Sequence, residues 1–484
     1  MAQWEAVIGL EVHVQLATRS KIFSTAPTAF GAAPNSQACP VDLGFPGTLP
    51  VLNAEAVRMA VMFGLAIDAE IHETSIFERK NYFYPDLPKG YQISQFAHPI
   101  VGNGKLSFKN AKGEPLSIRI TRAHLEEDAG KSIHDAIPGQ SGIDLNRAGT
   151  PLLEVVSEPD LRSAADAAAY FRALWQLVRS LGICDGQLQE GSMRCDANVS
   201  VRPLGAAQLG VRTETKNINS FRFVERAINH EIERQIDVLE SGGQIRQETR
   251  LYDAGRNETR VMRVKESSED YRYFPDPDLL PVVVDAAFLD SVRQTMPELP
   301  AGRRLRYMER FLLPGALASS IAEDPDVARY FEAVVQTGAE ARLVANWLIN
   351  EVSAALNENE LDITRCPVPA AQLGQLIIRI SDNTLSSKTA KGVFEKLWNQ
   401  PGETALRDVD EIIESAGLRQ MDDRAALASI VQAVIDSNPE QAAQFKGGKT
   451  KMLGFFVGQV MQRTKGTANP KTVNELLASL LGDA

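Results

Sequence analysis

From Trp4 to Leu16 apolar and polar positions alternate. Trp4, Ala6, Ile8, Leu10, Val12, Val14 and Leu16 fall on one side of an extended chain, and Glu11, His13 and Gln15 fall on the other. That period predicts a strand with one face in a core. It returns in Ile118–Asp128, which groups Arg122, His124, Glu126 and Asp128. It returns again in Gln189–Arg202, where Glu190, Ser192, Arg194, Asp196, Asn198, Ser200 and Arg202 oppose Gly191, Met193, Cys195, Ala197, Val199 and Val201. A shorter run, Val211–Lys216, aligns Arg212, Glu214 and Lys216. Elsewhere the period is helical. Ser163 to Leu181 carries Tyr170, Phe171, Leu174, Leu177, Val178 and Leu181 as an apolar stripe, with Ser163 and Asp166 as a capping box and Gly182 as its close. Phe221 to Ser241 carries Phe221, Val224, Ile228, Ile232 and Leu239, with Ser220 as N-cap and Gly242-Gly243 as the stop.

Strands followed by helices, without a repeated β-α-β unit, predict an α+β fold with an antiparallel sheet. Pro297-Glu298-Leu299-Pro300 ends the strand signals, and amphipathic helical stretches run on from there. Asn399-Gln400-Pro401-Gly402 marks a second break. A chain of 484 residues fits about three domains, placed at 1–295, 296–402 and 403–484.

Composition adds bounds. Hydrophobic residues at 44% and charged residues at 23% are those of a globular protein. No run approaches the roughly 18 apolar residues of a membrane span, and the chain enters its first strand without room for a cleavable signal. Cys39, Cys184, Cys195 and Cys366 are scattered, which argues for a reducing compartment and a cytoplasmic location. A net charge of −11 argues against non-specific nucleic-acid binding by the whole surface. Residues 441–472, however, hold Lys446, Lys449, Lys451, Arg463, Lys465 and Lys471 and no acid, leaving −17 for the rest. Such asymmetry points to a segregated binding function.

The polar strand faces carry the chemistry. Glu11, His13, Glu126, Glu190, Asp196 and Glu214 are interleaved with Arg122, Arg194, Arg212 and Lys216. Acids alone would suit a metal and bases alone an anion. Both together suit a divalent cation with a nucleotide, because Mg²⁺ takes one or two carboxylates plus phosphate oxygens while Arg and Lys meet the remaining phosphate charge. Lys216 stands just ahead of a helix start, where free N–H groups suit phosphate. The plainer reading is a solvated sheet face laced with salt bridges. Three other signals are discounted. Gly447-Gly448-Lys449-Thr450 ends like a phosphate-binding loop, but Ala443 replaces the first glycine and no strand precedes it. Gly454 and Gly458 suit close helix packing. Cys39-Pro40-Val41-Asp42 is half a metal knuckle, so zinc is not expected.

Longer stretches carry a resemblance. Val7–Leu16, Arg79–Asp86, Glu126–Lys131, Asp144–Arg147, Glu154–Asp160, Gly191–Asn198, Lys216–Phe221 and Asp270–Pro275 are similar to the B-subunit family of the glutamyl-tRNA(Gln)/aspartyl-tRNA(Asn) amidotransferases, as are Gly458–Met461 and Lys465–Pro470. The resemblance covers nearly the whole chain. It implies a catalytic cradle akin to glutamine synthetase, then a helical domain and a small helical tail like the YqeY family. It also implies a heterotrimer, completed by an amidase that releases ammonia from glutamine and by a small tethering protein. The reaction implied is ATP- and Mg²⁺-dependent phosphorylation of the side-chain carboxylate of misacylated Glu-tRNA(Gln) or Asp-tRNA(Asn), followed by amidation.

By the same resemblance the metal ligands fall on Glu11, His13, Glu126 and Glu214, with Glu190 and Asp196 as candidates for a second ion. Lys80, Tyr82 and Asp86 line the acceptor end or the nucleotide, and Arg194, Lys216 and Arg272 are expected at phosphate. Two competing readings stand beside this one. The first is a tRNA-binding scaffold whose kinase chemistry lies elsewhere, motivated by the basic stretch 441–472. The second is a free-standing ammonia ligase for a small amino acid.

Overall fold

In a computed structural model the described residues are 3–264, 268–399, 408–421, 423–447, 449, 451–464 and 466–482, with the side chains of 134–137, 263, 264, 268 and 269 set aside. The expected break at 400–402 lies outside them, as do Gly448, Thr450 and Lys465. The chain divides into two compact units, Met1–Leu299 and Pro300–Ala484.

The first unit is built on an eight-stranded sheet. Its strands, labelled in chain order, are β1 (Trp4–Gln15), β2 (Gly104–Lys109), β3 (Pro115–Glu127), β4 (Pro151–Ser157), β5 (Met193–Pro203), β6 (Thr213–Lys216), β7 (Glu248–Asp253) and β8 (Glu258–Val264). They lie in the order β8-β7-β6-β5-β1-β4-β3-β2, so the alternating N-terminal segment is a central strand with a partner on each side. Its apolar side is sealed. Ile8, Leu10, Val12 and Val14 are buried with Ala123, Leu125, Leu153, Val155, Cys195, Ala197 and Val199 from the neighbouring strands. Burying each large aliphatic side chain contributes about 1.5–3 kcal/mol, which also pins the register, since a slip of one residue would turn the whole apolar set outward.

Two long helices cover that side. α2 (Ala164–Ser180) starts at Ser163, whose Oγ accepts from the Asp166 N–H at 3.1 Å. α3 (Phe221–Glu240) starts at Ser220, which accepts from the Phe223 N–H at 3.1 Å. Both agree with the periodicity. A third helix, α1 (Ala54–Ala66), was not expected. Its sequence is apolar almost all round, so no stripe stands out, and it is buried on most sides.

The sheet departs from the antiparallel expectation at one pair: β6 and β7 run parallel. The cause is α3, which returns the chain to the starting end, so β6-α3-β7 is a crossover unit. The sequence has a single such unit and no repeat to reveal it. Two strands are also shorter than their alternation suggested. β5 begins at Met193, because the Gln187–Ser192 segment forms a turn with Gly191 at φ +82°. β6 begins at Thr213, leaving Arg212 exposed before it.

The second unit is built from helices around two apolar cores. Tyr307, Phe331, Trp347, Leu373, Val393 and Ile412 belong to one. Leu427, Val431, Phe456, Val460, Val473 and Leu477 belong to the other.

Candidate active site

The register assembles the polar face row by row. His13 on β1 stands opposite Arg194 on β5 and opposite Glu154 on β4, and Glu154 stands opposite His124 on β3. In the next row Glu11 faces Asp196 on one side and Val156 on the other, and Val156 faces Arg122. Asn198, two further along β5, pairs with Glu214 on β6. Side chains directly opposite each other, or two apart on one strand, share a face. Glu11, His13, Glu126 and Glu214 therefore all lie on the side away from α2 and α3.

Within this face the residues form two groups. His13 Nε2 is 3.5 Å from Glu126 Oε1 and 3.6 Å from Glu154 Oε2. The ligand atoms of this trio lie within 4.8 Å of one another, the one such trio among the described residues. Donors of an octahedral Mg²⁺ shell sit about 3 Å apart when each bond is about 2.1 Å. The spacing is too long for hydrogen bonds and suits a cation between the groups. Glu11 and Glu214 sit apart from the trio. Glu11 Oε1 accepts from Asn198 Nδ2 at 2.8 Å, while Glu214 accepts from Thr249 Oγ1 at 2.8 Å and pairs with Lys216 at 3.1 Å.

Glu154 was not singled out from the sequence. The signal was there: Pro151-Leu152-Leu153-Glu154-Val155-Val156-Ser157 is a strand with a lone carboxylate among apolar residues, which is costly unless it is paired. Its second partner is His124, whose Nε2 is 3.2 Å from Glu154 Oε2 and 3.8 Å from Glu126 Oε2. Burial opposes the charge on His124, but Glu154 and Glu126 outweigh it and push the imidazole up to about 9. Glu154 in turn is held well below the usual carboxylate range: burial works against ionisation, and His124, His13 and Lys80 overcome it.

Lys80 approaches from a small three-stranded sheet of Glu78–Asn81, Tyr91–Ser94 and Phe274–Pro275. Its Nζ lies 4.9 Å from the centre of the Tyr271 ring and 5.7 Å from that of Tyr82. Burial lowers its basicity, yet Tyr273, Glu126 and Glu154 raise it above the ordinary lysine value. Lys80 therefore stays charged. The Tyr82 hydroxyl donates to Gln92 Oε1 at 3.0 Å, and burial pushes its ionisation up. Asp86 accepts from Ser132 Oγ at 3.1 Å.

Two expected phosphate-binding cations are already paired within the chain. Arg194 Nη2 donates to Asp128 Oδ2 at 2.8 Å, and Lys216 forms ion pairs with Asp196 and Glu214. Arg272 is exposed at φ +46°, and its carbonyl accepts from Asn81 Nδ2 at 2.9 Å. Glu190 lies in the turn before β5, exposed, not on the strand face. Beside the His13 row a cavity of about 630 Å³ opens, with Gln15, Arg194, Arg147, Asn146, Lys131 and Phe30 in its wall. Asp42 is the buried partner of Lys21, 3.1 Å from Nζ, and also accepts from the Cys39 N–H and Ser24 Oγ.

This unit thus carries a mixed sheet with a carboxylate–imidazole trio beside a charged lysine, and the sequence comparisons match it to a catalytic-domain family. The family model for the GatB/GatE catalytic domain matches residues 6–290, and that for the GatB domain matches residues 329–481. Relatives named as the B subunit of aspartyl/glutamyl-tRNA(Asn/Gln) amidotransferase align end to end. That of Thioalkalivibrio sulfidiphilus is 60% identical over 99% of this chain and 100% of its own length. Those of Halorhodospira halophila and Nitrosococcus oceani are each 58% identical, over 99% of this chain and 99% and 100% of their own. The chain belongs to the GatB family, the B subunits of the tRNA-dependent amidotransferases.

Proposed function

We propose that this chain activates the side-chain carboxylate of misacylated Glu-tRNA(Gln) or Asp-tRNA(Asn) with ATP and Mg²⁺, for amidation by ammonia. The ammonia comes from an amidase partner in a heterotrimer held together by a small third protein. The observation that carries the reading is the His13–Glu126–Glu154 trio beside Lys80. A carboxylate is a poor acyl donor because its leaving group would be oxide. In the first step one of its oxygens attacks the γ-phosphorus, and the bond to the ADP oxygen breaks. In the second, ammonia attacks the acyl carbon and phosphate leaves, with loss of a proton. Both reactants of the first step are anionic, so catalysis is mostly positioning and charge.

His13, Glu126 and Glu154 would hold a magnesium ion, which when bound neutralises phosphate oxygens. Glu11 and Glu214, expected from the resemblance to hold the same ion, lie on the same face with Asp196, where Lys216 pairs with Asp196 and Glu214. Lys80 stays cationic at its aromatic wall and draws the carboxylate in, and Tyr82 shapes the wall. Arg194 and Lys216, although held by Asp128, Asp196 and Glu214, would add positive charge near the phosphates, as would the exposed Arg272. The cradle is taken to resemble glutamine synthetase, the chain to divide at 1–295, 296–402 and 403–484 with a YqeY-like tail, and the enzyme to work in the cytoplasm. No helix among the described residues is long and apolar enough to cross a membrane. The scaffold reading draws on the basic stretch 441–472, but gives the clustered charges of the sheet face no task. The test is amide formation by the reconstituted trimer on each misacylated tRNA in turn. Product with neither tRNA would overturn the reading, and product from free glutamate without tRNA would favour the ammonia ligase.

A further inference from the structure

We propose that Arg122 is a catalytic residue whose guanidinium binds an oxyanion of the reactants. The inference rests on the function proposed above and adds a contact to it.

Arg122 lies on β3 two residues before His124 and four before Glu126, on the same face as both. Its neighbour across the strands is Val156, and Glu11 stands on that residue's far side. The other cations of the face have counter-charges inside the protein: Arg194 and Arg147 pair with Asp128, although Arg194 Nε is likewise without a partner, and Lys216 pairs with Asp196 and Glu214. Among the described residues, the Arg122 guanidinium has neither a hydrogen bond nor an ion pair. Its Nε is shielded from solvent and without a partner. A shielded donor left unpaired costs free energy, and proteins leave few of them.

The group is held in place nonetheless. Its Cζ lies 5.6 Å from the centre of the Phe96 ring. Phe96 stacks on Tyr273 with centroids 4.4 Å apart and planes 11° from parallel. The Phe96 and Ala97 N–H groups both donate to Glu78 Oε2, at 2.9 and 2.8 Å, and the buried Gln95 ties the same loop to β3 by accepting from the Leu125 N–H at 3.1 Å. A guanidinium fixed over a ring, with its donors unspent, is set to bind a planar or tetrahedral oxyanion through two parallel hydrogen bonds. The reaction offers two: the phosphate chain of the nucleotide and the side-chain carboxylate of the aminoacyl group.

The experiment uses the reconstituted heterotrimer carrying Arg122→Gln or Arg122→Lys. ATP binding is measured by equilibrium dialysis with Mg²⁺, and the KM for ATP and for misacylated tRNA in the amidation assay. Loss of two charge-assisted bonds is expected to weaken one substrate by about 10- to 100-fold while the other stays within about twofold. A change in the ATP constants identifies phosphate, and a change in the KM for tRNA identifies the carboxylate. Arg122→Lys recovers only part of the loss, because an ammonium lacks the planar fork. If neither substrate's constants move, or if both weaken together with a fallen melting temperature, the proposal is overturned. Failure of the unaltered trimer to amidate any misacylated tRNA would instead sink the underlying function. Normal turnover with an indifferent Arg122→Gln variant sinks this inference alone.

Discussion

Glu154 Oε2 lies 3.6 Å from His13 Nε2 across the β1–β4 register and 3.2 Å from His124 Nε2 on its other side. One carboxylate on a central strand thus joins imidazoles from both neighbours. Glu126, two residues beyond His124, closes the group. The spacing belongs to the sheet itself, since directly opposed residues are held about 5 Å apart by the backbone ladder whatever their side chains do.

From this arrangement Glu154→Gln and Glu126→Gln are expected to lower ATP-dependent amidation by about 100-fold or more, since each removes a charge that a bound divalent ion needs. The glutaminase activity of the partner amidase should be spared. Raised Mg²⁺ should restore part of the rate in either variant. Normal turnover in both would remove the trio from the mechanism.

Asp128 anchors the neighbouring cations. Its Oδ2 receives Gln15 Nε2 at 2.9 Å and Arg194 Nη2 at 2.8 Å, with Arg147 Nε at 3.6 Å. Burial alone would raise its pKa, but Arg194 and Arg147 hold it below the ordinary value. Asp128→Asn leaves those guanidinium groups without their counter-charge. The expected cost is about 2–4 kcal/mol, at the lower end of the range for a broken buried pair because Arg194 keeps 26% of its side chain in water. Urea unfolding with an unchanged slope is the check, and a midpoint within error of the unaltered protein would contradict it.

Acid stability should depend on a group away from the active face. The fully buried Glu231 on α3 accepts from Thr213 Oγ1 at 2.7 Å, Gln235 Nε2 at 3.0 Å and Arg234 Nη2 at 2.6 Å, with Arg250 Nε at 3.4 Å. Burial pushes its carboxyl up, and these partners more than reverse the effect, so it ends below the ordinary value. A depressed folded pKa contributes stability that is present in full above the unfolded value, about 4.3. That contribution is lost as the pH falls through the lower folded value. Glu231→Gln should therefore lose about 3 kcal/mol at neutral pH and flatten the acid limb of a melting-temperature profile below about pH 5. An unaltered acid limb would remove Glu231 from its cause.

Much of this arrangement was legible in the chain because strand periodicity fixes which side a residue takes. Alternation puts Glu11 and His13, Glu126, and Glu214 each on the polar face of its own strand, the resemblance groups the four, and the register sets them on one side of the sheet. Alternation says nothing of distance across the sheet. Strand order decides that, and it sets β4 between β1 and β3, so Glu154 intervenes where the sequence offered no link between residues 13 and 126. Likewise the sequence of α1 shows no apolar stripe, because a helix buried on most sides is apolar almost all round. The turn that carries Glu190 off its strand depends on Gly191 at positive φ, a local choice that can override a period of two.

The tail offers a test of how the work is divided. Lys446, Lys449, Lys451, Arg463 and Lys471 are exposed in the described part of the acid-free stretch, around a core formed by Phe456, Val460, Val473 and Leu477. Exposed cations on a chain of net charge −11 gather phosphate locally, and each phosphate they neutralise should show in the salt dependence of binding. Replacing Lys446, Lys449, Lys451 and Lys471 with alanine is expected to weaken tRNA binding and to reduce the slope of log K against log salt by about 0.7–0.9 for each phosphate no longer neutralised. ATP binding should be unaffected, because the nucleotide is assigned to the sheet face. Filter binding at graded salt, with dialysis of labelled ATP alongside, reads both. If tRNA and ATP affinities fell together, the separation of acceptor binding from phosphoryl transfer between tail and sheet would be wrong.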